Sequence, residues 1–231
     1  MEQTTSYETA MQWARELGLA PAVAHAWFPE AKFTSAQKSE NSLSLTRDGE
    51  GSYGIGLGPN PWINPAWQKF SLPKDFPREQ TDHFTLQGQW AAYSIAPQAI
   101  THLKPIEILP GERDFEIENF LKAHAPESSV FPGNQEIHWW CAILSEANEI
   151  QGVAAITQWE SGAYLLSSVA VDSALRQAGI GTKLMESVIA SAFNHGISEL
   201  ILAVFSKNIA ARRLYEKSGF TLLGDFNYFE R

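Results

Sequence analysis

Apolar positions in the second half of the chain follow two rhythms, one helical and one extended. Ile180, Leu184, Val188 and Ala192 share one stripe at helical spacing, so a helix is predicted to begin just after Gly179. Residues 199–205 are almost unbroken apolar and read as a buried strand. Residues 209–218 read as a second helix, closed by Gly219 where a left-handed residue commonly ends one, and 220–223 return as a strand. Upstream, a strand is predicted at 106–109, ended by Pro110 and Gly111. A helix follows at 113–124 on Phe115, Ile117, Phe120 and Leu121. Beyond a loop rich in Pro, Gly and Ser at 125–134 come strands at 137–144, 150–159 and 163–171. This order predicts an α+β fold in which an antiparallel meander feeds a glycine-bearing corner.

The first 104 residues carry a weaker pattern. Thr5 and Glu8 have the spacing of a capping box, and Tyr7, Ala10, Met11, Ala14 and Leu17 form a stripe ending at Gly18. Residues 42–46 and 52–57 read as a hairpin across the turn 47–51. Gly54, Gly56 and Gly58 sit in an alternating run followed by Pro59 and Pro61, with no helix behind them and no arginine before. They are read as strand and turn rather than a phosphate loop. Trp13, Trp27, Trp62, Trp67 and Trp90 lie in this region, which favours a packed module; as a set they suit either a core or the wall of a substrate pocket.

Chemistry concentrates at the corner. Arg176, Gly179 and Gly181 give the spacing R-x-x-G-x-G between an apolar strand and an amphipathic helix. Backbone N–H groups converge there at the positive end of a helix dipole, an arrangement that holds a phosphate. Glycine permits the turn and lets a ligand approach the main chain. A P-loop requires Lys then Ser or Thr after its last glycine, and here Thr182 precedes Lys183. A dinucleotide fingerprint requires a third glycine where Leu184 stands. About thirty residues on, Asn208, Ala211, Tyr215, Gly219 and Phe220 form N-x-x-A-x-x-x-Y-x-x-x-G-F.

With both motifs in order on the expected elements, residues 105–231 resemble the GNAT family of acetyl-CoA-dependent N-acetyltransferases. The resemblance implies a GNAT fold, a twisted mixed sheet flanked by helices, with residues 1–104 as an accessory α+β region or a degenerate GNAT-like half. It implies acetyl-CoA as co-substrate, no metal, and an amine acceptor. The strand carrying Val169, Ala170 and Val171 would splay from its neighbour and pair with the pantetheine arm. Arg176 and the N–H groups of Gln177, Ala178, Gly179, Ile180, Gly181 and Thr182 would take the diphosphate. Asn208 would contact the cofactor from the second loop, and Tyr215 would act as general acid toward the departing thiolate. Relatives that acetylate ribosomal proteins carry a glutamate where this chain has Ala203, which disfavours a protein acceptor. Glu127 and Glu160 stand as alternative bases.

Composition narrows the partners. The net charge is −9, and residues 105–231 hold nine Lys and Arg against sixteen Asp and Glu, which disfavours nucleic acid. There is no apolar run of spanning length and no basic, apolar leader at the N-terminus, so no membrane partner and a cytoplasmic location are expected. The lone Cys141, in an apolar run, reads as a buried structural thiol. The favoured acceptor is a small primary amine or amino-acid derivative. A protein acceptor and a non-catalytic acyl-CoA-binding module are the alternatives. A homodimer through an edge strand near the C-terminus is left open, and loops near 125–134, 159–162 and 224–228 are expected to shape the acceptor site.

Overall fold

The computed structural model describes residues 1–49, 51–100 and 103–231. In chain order the elements are β1 (Glu2–Thr4), α1 (Tyr7–Glu16), α2 (Pro21–Trp27), β2 (Phe33–Lys38), β3 (Leu43–Arg47), β4 (Tyr53–Leu57), β5 (Lys69–Pro73) and β6 (Thr85–Ile95). There follow β7 (Ile106–Ile108), α3 (Asp114–His124), β8 (Ile137–Leu144), β9 (Ile150–Gln158), β10 (Tyr164–Val171), α4 (Ile180–Asn194), β11 (Leu200–Phe205), α5 (Ile209–Lys217) and β12 (Thr221–Glu230). Two compact units emerge. The first comprises residues 1–93, 203–209 and 222–231, and the second residues 94–202 and 210–221.

In the second unit the strands run β11-β10-β9-β8-β7, with β10 parallel to β11 and the other pairs antiparallel. Alternation along β8 and β9 assigns each face a helix. Trp140, Ala142, Val153 and Ala155 pack with Ile117 and Leu121 of α3. On the opposite face Trp139 Nε1 donates to Ser191 Oγ of α4 at 2.8 Å. A Cβ at Gly152 would lie 3.2 Å from Ile180 Cγ2, so β9 carries glycine where α4 packs closest. The predicted stripe of α4 is buried throughout, with Leu184, Val188 and Ala192 at 0% exposure. The mixed sheet with helices on both faces is the architecture the resemblance implied.

Cys141 lies in β8, fully buried. Burial pushes its thiol from an ordinary 9.0 up to about 12. The folded chain therefore holds this proton more tightly than the unfolded chain does. The stability contributed is complete below pH 9 and is lost as pH rises toward 12. A thiol reagent at pH ~8 is expected to find no reactive group in the native protein and one per chain after denaturation.

The first unit orders its strands β1-β2-β3-β4-β5-β12-β6. The predicted hairpin is present, β3 and β4 pairing from Leu43↔Leu57 to Arg47↔Tyr53, while Glu50 of its turn lies outside the described residues. The capping box does not form. Ser6 is the N-cap of α1 and accepts from Thr9 N–H at 3.3 Å, which makes Thr9, not Glu8, the third helical residue. The aromatic residues serve mainly as core: Trp67 is fully buried with Phe70 and Leu72, and Trp90 stacks between Trp27 and Phe226 at 5.0 and 4.6 Å. Trp62 is the exception, 39% exposed.

Two expectations about the C-terminus are corrected. Residues 224–228 form strand rather than a loop, pairing Phe226↔Pro73, Asn227↔Leu72 and Tyr228↔Ser71. Strand β12 is moreover flanked on both sides, by β5 and β6, so it offers no free edge for a second subunit. Among the described residues no helix is long and apolar enough to cross a membrane.

Candidate acyl-CoA site

Strand β10 leads to the site and breaks regularity on both its sides. Toward β11 its register holds Tyr164↔Leu200 and Leu165↔Ile201 alone among the described residues. From Leu166 onward its N–H and C=O groups on that side are outside the ladder. Toward β9 the register shifts between Ser167 and Ala170, where Ser168 adopts φ 49°. A left-handed serine in a strand is a bulge, and it re-aims Val169, Ala170 and Val171. Ser168 is held there by a two-way clasp. Its hydroxyl accepts from Val130 N–H at 3.0 Å and donates to Val130 C=O at 2.7 Å. The clasp ties the loop at 125–134 to the bulge, a role that no pattern in the sequence announced. The only hint was a Ser167–Ser168 pair inside an apolar strand.

The corner follows at once. Asp172 caps the short turn Ser173–Leu175, its carboxylate accepting from Ala174 N–H at 2.9 Å. Arg176 extends from that turn, exposed and with no ion pair to a described residue. Gln177 and Gly179 then take φ 67° and 82°, and α4 begins. These left-handed residues reverse the chain within three positions. The first N–H groups of α4, at Ile180, Gly181 and Thr182, precede the helix's first internal hydrogen bond and so are left for a ligand. Lys183 N–H already bonds Gly179 C=O at 3.1 Å. With an exposed guanidinium beside three free donors, the corner fits a diphosphate.

Tyr215 sits in the last turn of α5, 7% exposed, its ring 5.9 Å from Phe220. Helix α5 packs on the corner: a Cβ at Gly181 would lie 3.3 Å from Leu214 Cδ2, so the second glycine of the motif serves helix contact as well as ligand access. Burial pushes the Tyr215 phenol above its ordinary 10.0, so it remains protonated across the physiological range. Asn208 is exposed just before α5 and belongs to the first unit. Its N–H bonds Phe205 C=O at 2.8 Å.

Comparison with known proteins decides the family. Residues 106–220 match the family model described as "Acetyltransferase (GNAT) family". Residues 106–220 of the chain belong to the GNAT acetyltransferase family. The N-acetylaspartate synthetases of Rattus norvegicus and Homo sapiens are each 32% identical to the chain over 91 residues, 39% of this chain and 30% of theirs. The chain therefore matches under a third of the length of those relatives. The GCN5-related N-acetyltransferase from Sphaerobacter thermophilus superposes with a TM-score of 0.58 at 12% identity, over 94% of this chain and 88% of that one. An acetyltransferase of the GNAT family from Colwellia psychrerythraea gives 0.54 at 12% identity, over 100% and 99%. At such identities the likeness is one of fold.

Within the GNAT domain, neither carboxylate considered as a base is buried: Glu127 and Glu160 are both exposed. Ala203, where ribosomal-protein acetylating relatives were expected to carry glutamate, has no ionisable group.

Proposed function

We propose that the chain is an acetyl-CoA-dependent N-acetyltransferase whose acceptor is the primary amine of a small molecule or amino-acid derivative. In this reading residues 105–231 carry the transfer and residues 1–104 form an accessory region. The observation that carries it is the corner 172–182: a left-handed glycine, an exposed arginine and the open end of α4, fed by a strand whose ladder stops short. The two N-acetylaspartate synthetases support an amino-acid acceptor, since their name denotes acetylation of an amino acid.

Acetyl-CoA supplies an activated acyl group as a thioester. Arg176 and the N–H groups of Gln177 to Thr182 neutralise and orient the diphosphate. Val169, Ala170 and Val171 offer main-chain groups to the pantetheine arm, and one N–H of the bulged strand polarises the acetyl carbonyl as negative charge develops there. Asn208 adds a polar contact from the second loop. Tyr215 holds the proton for the departing sulfur. A thiol has an ordinary pKa of ~8.5, far below that of a buried phenol, so complete proton transfer from Tyr215 is uphill. The phenol therefore acts chiefly by donating a strong hydrogen bond to the developing thiolate. With no buried carboxylate assigned, the acceptor ammonium sheds its proton to water before attack.

Release of free CoA, measured over aspartate and other amino acids, simple amines, peptides and buffer alone, tests the acceptor class. Turnover with amino acids or small amines is the expected result. Turnover with peptides alone would transfer the reading to a protein acceptor. Binding without any turnover would reduce the chain to an acyl-CoA-binding module.

A further inference from the structure

We propose that His124, the last residue of α3, is a positioning residue that pre-forms the diphosphate loop. The proposal rests on the reading above that residues 172–182 take the diphosphate of acetyl-CoA. The imidazole of His124 packs on Phe120, with ring centroids 4.5 Å apart, and its side chain is 19% exposed. Its Nδ1 accepts from Ser173 N–H at 3.1 Å and stands 3.3 Å from Ser173 Oγ. A backbone nitrogen can only donate, so Nδ1 presents its lone pair and the ring proton sits on Nε2. Asp172 Oδ1 lies 3.8 Å from the same Nδ1 and is occupied by Ala174 N–H at 2.9 Å.

Two successive amides are thereby tied down, Ser173 by the helix α3 and Ala174 by its own cap. The constraint runs on through the loop. Leu175 N–H bonds Asp172 C=O at 3.0 Å and Ala178 N–H bonds Leu175 C=O at 3.2 Å, with Arg176 and Gln177 held between them. An anion cradle made of main-chain donors binds well only if the donors converge before the ligand arrives, because ordering them afterwards is subtracted from affinity. Most of this loop is exposed, so its hydrogen bonds carry much of the ordering. The loop's first residue is tied to β9, where Asp172 N–H bonds Gln151 C=O at 2.9 Å, and His124 of α3 adds a grip one residue further on, three residues before Arg176. In sequence it is simply the polar end of a helix, and nothing in its spacing connects it to the corner.

Calorimetric titration of the full chain with acetyl-CoA and with CoA tests the role. His124→Leu removes the acceptor, whereas His124→Asn keeps an amide oxygen near the place of Nδ1. His124→Leu is expected to weaken both ligands by about three- to tenfold, the worth of one such hydrogen bond, and His124→Asn to stay within about twofold of the parent. The melting midpoint of the unliganded protein is expected to stay unchanged in both. Parent-like affinity in His124→Leu, with Arg176→Glu strongly weakened, would overturn the positioning role and leave the diphosphate site standing. Equal weakening in both His124 variants with a lowered midpoint would overturn it as well, reducing the residue to packing. Absence of binding by the parent, or indifference to Arg176→Glu, would remove the diphosphate reading and this proposal with it.

Discussion

Tyr215→Phe is expected to lower kcat by about 10²–10⁴ while leaving acetyl-CoA affinity within about twofold. The substitution deletes one oxygen and keeps the ring that packs beside Phe220. It thus separates the two readings of a buried tyrosine on an apolar helix face. A purely structural tyrosine would show a modest loss of stability and an unchanged rate. The pH profile supplies an independent check. Because burial raises the phenol above its ordinary 10.0, the rate at saturating substrate is expected to show no falling limb from this group up to pH 10. A tyrosine that titrated below 10 would produce one.

Gly54→Ala carries the second large effect, this time on stability. A Cβ at Gly54 would overlap the indole of Trp67, which is fully buried and donates from Nε1 to Thr46 Oγ1 at 2.8 Å. Admitting the methyl requires moving that indole, which loses both the packing and the hydrogen bond. Overpacking of this kind costs about 2–3 kcal/mol, or roughly 5–10 °C in a thermal melt of a chain this size. Below the melting transition the affinity for acetyl-CoA is expected to be unchanged. A loss of affinity without a loss of stability would revive these glycines as a ligand loop, the reading set aside on sequence.

Strand β4 also shows what the sequence could and could not disclose. The spacing of Gly54, Gly56 and Gly58 was legible as strand because prolines followed and no helix did. Why Gly54 and Gly56 are glycine was not legible, since Trp67 lies over Gly54 from thirteen residues further on and Pro61 and Leu72 lie over Gly56 from five and sixteen. In the GNAT domain the candidate site is built from local sequence. The stripe of α4, the apolar run of β10 and the R-x-x-G-x-G corner are contiguous in sequence, so their elements were readable almost to the residue. The clasp of Ser168 on Val130 and the bond from Ser173 to His124 join residues 38 and 49 apart. No period or motif encodes such pairs. The N-terminal strands β1, β2, β5 and β6 escaped notice for a related reason. In β1, β2 and β6 polar residues fall on both faces, and β5 is a five-residue strand with only Phe70 and Leu72 to mark one; the long β12 was hidden by Gly224, where a Cβ would lie 2.7 Å from Phe226 Cζ.

In the proposed function, the corner at 172–182 holds the diphosphate of acetyl-CoA. Titration calorimetry of the parent and Arg176→Glu proteins with acetyl-CoA tests it most directly. A saturable heat is expected for the parent and an affinity lower by about tenfold or more for the variant, since a charge-assisted contact becomes a repulsive one. No heat with the parent, or equal affinities for the two proteins, would contradict it.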